Sequence, residues 1–200
     1  MAQPKENTKK LMCRLAGSLV SWLTFQQSAL RSRMYSEHGM YSPIFEVASA
    51  RRWKIRPQFP VKIDGTTKYI DFVFYGITKK HVKNDRVAAL EISYIRKRNS
   101  ESEKISNDES KLRKVRVNDF LNGKYGAIKR YVMIAGKESH LRHYCKSHFK
   151  RALPLFKDKP PGNLGWMFRS PIKFSDENLW CVLVLVVPEK ESHPKKPTAI

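Results

Sequence analysis

The chain has 200 residues, with 39 Lys and Arg against 18 Asp and Glu and a formal net charge of +21 at pH 7. With 41% hydrophobic and 28% charged residues, its composition excludes a disordered chain and predicts one domain with one core. The longest apolar run, residues 179–187, is too short for a membrane-spanning helix, so we expect no integral membrane protein and no membrane partner.

The first half of the chain predicts two helices followed by three strands. Helical spacing of leucines and a Ser36 N-cap indicate the helices, and two prolines mark the first strand as an edge strand. The predicted elements are helices at 9–33 and 36–51 and strands at 55–61, 69–75 and 86–95.

The second half predicts alternating helices and strands around irregular connections. The pattern is a polar connector at 99–109, a helix at 108–121 closed by Asn122-Gly123, a strand at 127–135, a basic helix at 139–153, an irregular excursion at 154–178 and a doubly buried strand at 179–187. We therefore predict an α/β fold with a tail and helix at 1–35, an α/β domain at 36–188 and a flexible tail at 189–200.

The positive charge is spread along the fold, and residues 111–151 alone carry 12 Lys and Arg against 2 Asp and Glu. Neutralising nucleic-acid phosphates releases condensed counterions and drives binding, so we predict a nucleic-acid partner, DNA rather than RNA. A solvated basic face is the alternative that needs no partner.

Three widely spaced cysteines, at positions 13, 145 and 181, indicate reduced thiols rather than a disulfide scaffold. The polar first ten residues do not resemble a secretory signal. We expect an intracellular, cytoplasmic location.

Two acidic residues interrupt apolar strands and are the candidates for chemistry. Asp71 lies between Ile70 and Phe72, and Glu91 follows Leu90. A buried carboxylate is costly unless it is paired, protonated or metal-bound. Two of them on neighbouring strands predict a site for Mg²⁺ or Mn²⁺, while outward-pointing or arginine-paired acids are the alternative.

In these segments the chain resembles the PD-(D/E)xK nuclease superfamily, which includes restriction endonucleases, archaeal Holliday-junction resolvases and transposon end-cleaving nucleases. The matching segments are Tyr69-Ile70-Asp71-Phe72-Val73, Ala88-Ala89-Leu90-Glu91-Ile92-Ser93-Tyr94 and Asn107-Asp108-Glu109-Ser110-Lys111-Leu112. The resemblance covers about residues 36–136. It implies a restriction-endonuclease-like central mixed sheet of four to five strands flanked by helices, with an N-terminal helical extension.

The resemblance also implies a ligand set for the metal. Asp71, Glu91 and the Ile92 carbonyl would hold the ion, and Glu37 or Glu46 would supply an acid from the preceding helix. Glu37 is favoured because it shares a predicted helix face with apolar residues. Family members use such a site to hydrolyse a phosphodiester bond.

The chain departs from the family pattern at two positions. Ile70 replaces the motif proline, and Ser93 stands in the catalytic position of the motif lysine, whose charge orients water or stabilises the phosphate. Lys111 or Lys114 on the following helix is the predicted substitute. Without a substitute, the fold would bind nucleic acid without cutting it.

The predicted function is therefore a divalent-metal-dependent nuclease, or nuclease-like subunit, acting on DNA. The alternatives are a catalytically inactive nucleic-acid-binding protein within a recombination, transposition or defence assembly, and a basic adaptor for an acidic protein. The N-terminal helix is a candidate surface for a homodimer or partner protein. The predicted nucleic-acid contacts are Arg96, Lys97, Arg98, Lys114, Arg142, Lys146, Lys150 and Arg151.

Overall fold

The computed structural model describes residues 7–29, 31, 37–76, 87–97, 102–116, 128–148, 167–169 and 178–187. Within these ranges the protein is α/β, as predicted, with a six-stranded mixed sheet and four helices. No helix among these residues is long and apolar enough to cross a membrane.

The helices are α1 (Thr8–Ser28), α2 (Glu37–Ala50), α3 (Ser102–Lys114) and α4 (Glu138–His148). The strands are β1 (Lys54–Ile63), β2 (Thr66–Tyr75), β3 (Val87–Ile95), β4 (Lys129–Lys137), β5 (Met167–Arg169) and β6 (Leu179–Val186).

The sheet has the order β1-β2-β3-β4-β6-β5, with one parallel pair, β3 and β4. Five strands have eight residues or more, and the three-residue β5 lies in the stretch predicted as irregular. The prediction of β1 as an edge strand is confirmed, and its two prolines need no main-chain partner on the outer side.

Helices cover both faces of the sheet. The side chains of β3 alternate between two clusters, because successive residues of a strand point to opposite faces. Leu90 and Ile92 pack with α1 and α2, whereas Ala89 and Ile95 pack with α3 and α4. All nine residues of β3 are consequently buried.

The N-terminal helix is part of the core rather than an extension. Leu11, Leu15, Leu19 and Leu23 are buried against α2 and the sheet. The apolar face that was considered for a homodimer is therefore occupied by the chain's own sheet.

The prediction for α3, a helix at 108–121, was wrong at both ends, since the helix ends at Lys114 and residues 115–116 are not helical. The helix begins at Ser102, inside the predicted connector, because Ile105, Asp108, Glu109 and Leu112 form one buried face at helical spacing. Two of these four residues are acidic, so apolar periodicity alone missed the first turns. The predicted Asn122-Gly123 cap, the end of the basic helix beyond residue 148 and the C-terminal tail lie outside the described residues.

Candidate active site

Strands β2 and β3 separate in the middle of the sheet, at Asp71 and Glu91. Their antiparallel ladder runs from the pair Tyr75 and Val87 to the pair Phe72 and Leu90 and ends there. Beyond this point β3 continues to pair with β4. We call the divergence of β2 and β3 at Asp71 and Glu91 the fork.

The Asp71 carboxylate lies in the fork. Ile92 has no paired residue on β2, because the ladder ends at Leu90. Its main-chain N–H donates instead to Asp71 Oδ2 at 2.8 Å. Asp71 thereby contacts the residue that follows Glu91 on β3, and its charge contributes to raising the pKa of Glu91.

Glu91 lies on the face of β3 that α3 covers, and its side chain is only 2% exposed. Burial, followed by the charge of Asp71, raises the pKa of Glu91 well above its ordinary value. A neighbouring ammonium, that of Lys111, lowers the pKa but does not offset these two effects.

Lys111 extends from α3 into the fork. Its Nζ lies 2.7 Å from Glu91 Oε1 and 3.2 Å from Asp108 Oδ1, and it donates to the Tyr69 carbonyl at 2.9 Å. Burial opposes the charge on Lys111, but Glu91 and Asp108 outweigh it, so the pKa of Lys111 is raised. A protonated ammonium is therefore fixed beside the buried acid.

Of the two lysines that the sequence offered, the fork contains Lys111. Lys114, one turn further along α3, has its Nζ 2.6 Å from Asp64 Oδ2 at the turn between β1 and β2. Ser93 is fully buried on β3, and its Oγ has no hydrogen-bond partner among the described residues. The structure therefore gives Ser93 no route to a substrate phosphate, and a catalytic role for this residue is not supported.

Asp71 is held on its other oxygen by two residues from separate elements. The Tyr41 hydroxyl donates to Asp71 Oδ1 at 2.6 Å, and Gln58 Nε2 donates to the same oxygen at 3.2 Å. The Tyr41 ring packs edge-on against Phe72, with centroids 4.5 Å apart, which directs its hydroxyl toward the fork.

The oxygen atoms at the fork fit a small divalent cation. The N–H and C=O of one residue point to the same side of a strand. The Ile92 carbonyl therefore faces the fork together with the carboxylates of Asp71 and Glu91. Mg²⁺ is typically held by one or two carboxylates, with water and substrate phosphate completing its shell. Within the described ranges, no three or more Asp, Glu, His or Cys side chains gather as a metal-holding group.

Of the two helix acids expected in the ligand set, Glu46, the one whose side chain the structure describes, does not lie at the fork. Glu46 is exposed on α2 and accepts a hydrogen bond from Ser42 on the same helix at 3.2 Å. The side chain of Glu37, the favoured candidate, lies outside what the structure describes.

Four of the predicted nucleic-acid contacts are exposed, among them Lys114, which pairs with Asp64. Arg96 and Lys97 directly follow β3, and Lys146 lies on α4. Arg142 instead pairs with Glu138, whose Oε1 accepts from its Nε at 2.8 Å, and it lies over the Trp180 ring. Arg98, Lys150 and Arg151 lie outside the described residues.

Sequence reasoning missed three residues of this site: Tyr41, Gln58 and Asp108. Asp108 precedes Lys111 by three positions, a spacing that places both on one face of the helix already predicted at 108–121, so this spacing was the signal that could have found it. Tyr41 and Gln58 carry no local signal, because their contacts with Asp71 span 30 and 13 residues of sequence.

No protein-family model matches the chain, and no curated protein or solved structure matches it significantly. The function must therefore be inferred from the chemistry of the fork and from the charge of the molecule.

Proposed function

We propose that the protein is a divalent-metal-dependent nuclease, with a restriction-endonuclease-like fold, that hydrolyses DNA phosphodiester bonds at the fork. The observation that carries this proposal is the position of Lys111, whose Nζ lies 2.7 Å from Glu91 Oε1. An ammonium from α3 thereby compensates for the lysine that is absent at Ser93.

Each group at the fork has a role in this proposal. Asp71, Glu91 and the Ile92 carbonyl would hold Mg²⁺ or Mn²⁺, which when bound neutralises a phosphate oxygen and lowers the pKa of water. Lys111 orients the attacking water or stabilises charge on the phosphate, as a preorganised cation does in a partly dehydrated site. Its contacts with Asp108 and the Tyr69 carbonyl hold it in place.

The positive charge supports DNA as the substrate. A net charge of +21 on 200 residues favours a phosphate backbone through counterion release. Arg96 and Lys97 are exposed and directly follow β3, four and five residues beyond Ile92, so they lie just past the end of the strand that carries Glu91.

One observation favours the alternative of a nucleic-acid-binding protein without activity. Lys111 already supplies Glu91 with a positive charge, and a buried acid paired with lysine can be purely structural. In this alternative the fork stabilises the sheet, and the surface charge alone binds DNA.

The test uses the 200-residue chain with supercoiled plasmid and single-stranded DNA in Mg²⁺ or Mn²⁺. We expect Asp71→Asn, Glu91→Gln and Lys111→Met each to lower the cleavage rate by about 10²–10³-fold. Arg113→Met is the matched control, because it removes one positive charge from the same helix at a side chain that is 45% exposed.

Cleavage that survives all three fork substitutions would contradict the proposed active site. DNA binding without cleavage by the wild-type protein in either metal would instead support the inactive alternative. Absence of DNA binding would leave the acidic-protein adaptor.

A further inference from the structure

We infer that Gln58 is a positioning residue whose carboxamide fixes the Asp71 carboxylate in the fork. This inference rests on the proposed function, since it assigns Asp71 to the metal. Gln58 acts through Asp71 and is not itself placed on substrate or metal.

The first observation is a closed set of hydrogen bonds. Gln58 Nε2 donates to the Tyr41 hydroxyl at 2.8 Å and to Asp71 Oδ1 at 3.2 Å, while Tyr41 donates to the same Oδ1 at 2.6 Å. A carboxylate only accepts, so the amide nitrogen must face it. The carboxamide nitrogen thereby serves both acceptors, the Tyr41 hydroxyl and Asp71 Oδ1.

The second observation is the backbone of Gln58, which has φ of +46°. This left-handed conformation is unfavourable for a residue with a Cβ. Gln58 is opposite Asp71 in β1, between the pairs Pro57 with Phe72 and Phe59 with Ile70.

The hairpin changes direction at this pair. Ile70 and Phe72 would share a face in a regular strand, yet Ile70 packs in the cluster with α3 and Phe72 in the cluster with α2. A glycine would make this bend without strain. Gln in its place indicates that the side chain is needed, and unfavourable backbone conformations of this kind concentrate at functional sites.

Two substitutions separate the effect of the strained backbone at Gln58 from the effect of its carboxamide. Gln58→Ala and Gln58→Gly both remove the amide, but only Ala retains a Cβ at positive φ, so we expect Gly to have the higher Tm by about 2–4 °C. We expect both to weaken Mn²⁺ affinity by about 10–100-fold, as loss of a group that orients a metal ligand does. Both should also speed hydrogen exchange at the Ile92 amide, which donates to Asp71.

The matched control is the same pair of substitutions at Arg52, an exposed residue with φ of +63°. Arg52→Gly should again have a higher Tm than Arg52→Ala. Neither should change Mn²⁺ affinity or exchange at Ile92.

Wild-type Mn²⁺ affinity and wild-type protection of the Ile92 amide in Gln58→Gly would overturn the inference. The carboxamide would then not be needed, and the defect of Gln58→Ala would come from backbone strain alone. A hydrogen-exchange rate at the Ile92 amide that equals the wild-type rate in both Gln58 variants would also overturn the inference. If the wild-type protein binds no Mn²⁺, the proposed function fails, and exchange at Ile92 still decides whether Gln58 positions Asp71.

Discussion

Glu91 is the acid whose surroundings change its chemistry most. Burial and the charge of Asp71 raise its pKa well above the ordinary value of 4.5. The folded protein therefore retains a proton at pH values where the unfolded chain has lost it, and unfolding releases that proton.

We predict that the free energy of unfolding falls as pH rises from about 4.5 toward the raised pKa of Glu91, by up to about 1.4 kcal/mol per pH unit. Glu91→Gln should make this dependence on pH weaker. The slope that remains should come from Asp108, because burial raises the pKa of that carboxyl as well. Urea unfolding across the acidic and neutral range measures both slopes.

Lys111→Met is the companion variant. Removing the ammonium should raise the pKa of Glu91 further, because Lys111 lowers that pKa in the wild-type protein. The free energy of unfolding should then continue to fall up to a higher pH. Identical slopes in the wild-type protein and Glu91→Gln would contradict the prediction.

The residues of the fork differ in how far the sequence could reveal them. Asp71 and Glu91 were identifiable because each interrupts an apolar strand, whereas the family resemblance pointed to the next helix and left Lys111 and Lys114 as alternatives. Gln58 was not, because its role depends on a positive φ and on which strand lies opposite, and neither is encoded in local spacing.

Among the elements, α1 illustrates the limit of reading a helix by itself. Its leucine spacing predicted the helix correctly but not what the leucines contact. An apolar stripe fits a partner protein and the chain's own sheet equally well, and in the structure α1 packs against the sheet.

We predict that Leu19→Ala lowers the free energy of unfolding by about 2–5 kcal/mol, because Leu19 is fully buried. Phe25→Ala, at a side chain of the same helix that is 59% exposed, should change it by no more than about 0.5 kcal/mol. Urea unfolding gives both values, and light scattering gives the oligomeric state. A dimer that Leu19→Ala dissociates without this loss of stability would show that α1 serves a partner instead.

Strands were easier to place than α3 for a physical reason. β6 is a continuous apolar run and β3 is an apolar run interrupted by Glu91 and Ser93, because both strands are buried on both faces. The buried face of α3 includes Asp108 and Glu109, and acids that are buried by a local site cannot be distinguished from solvent-exposed acids by hydropathy.

The whole molecule carries a charge that should dominate its binding to nucleic acid. We predict that affinity for a duplex oligonucleotide falls by about 10³–10⁵-fold between about 50 and 200 mM salt if roughly six to ten phosphates are neutralised. Fluorescence anisotropy of a labelled duplex measures this, with Glu91→Gln included to prevent cleavage.

Vesicles of anionic lipid are the control for this prediction, since their charge attracts any basic protein. Tight binding to vesicles together with no binding to the duplex would contradict nucleic acid as the partner, and salt-independent binding to the duplex would contradict the electrostatic origin of its affinity. The same titrations with RNA would establish whether DNA is preferred.

The two borders of the sheet have a consequence for behaviour at high concentration. Pro57 and Pro60 remove two N–H donors from β1, the left-handed Gln58 interrupts the straight run between them, and the opposite border is the three-residue β5. Among the residues that the structure describes, neither border offers a long, flat template for a strand from a second molecule. A protein that is built so should resist fibril growth even when crowding on a polyanion raises its local concentration.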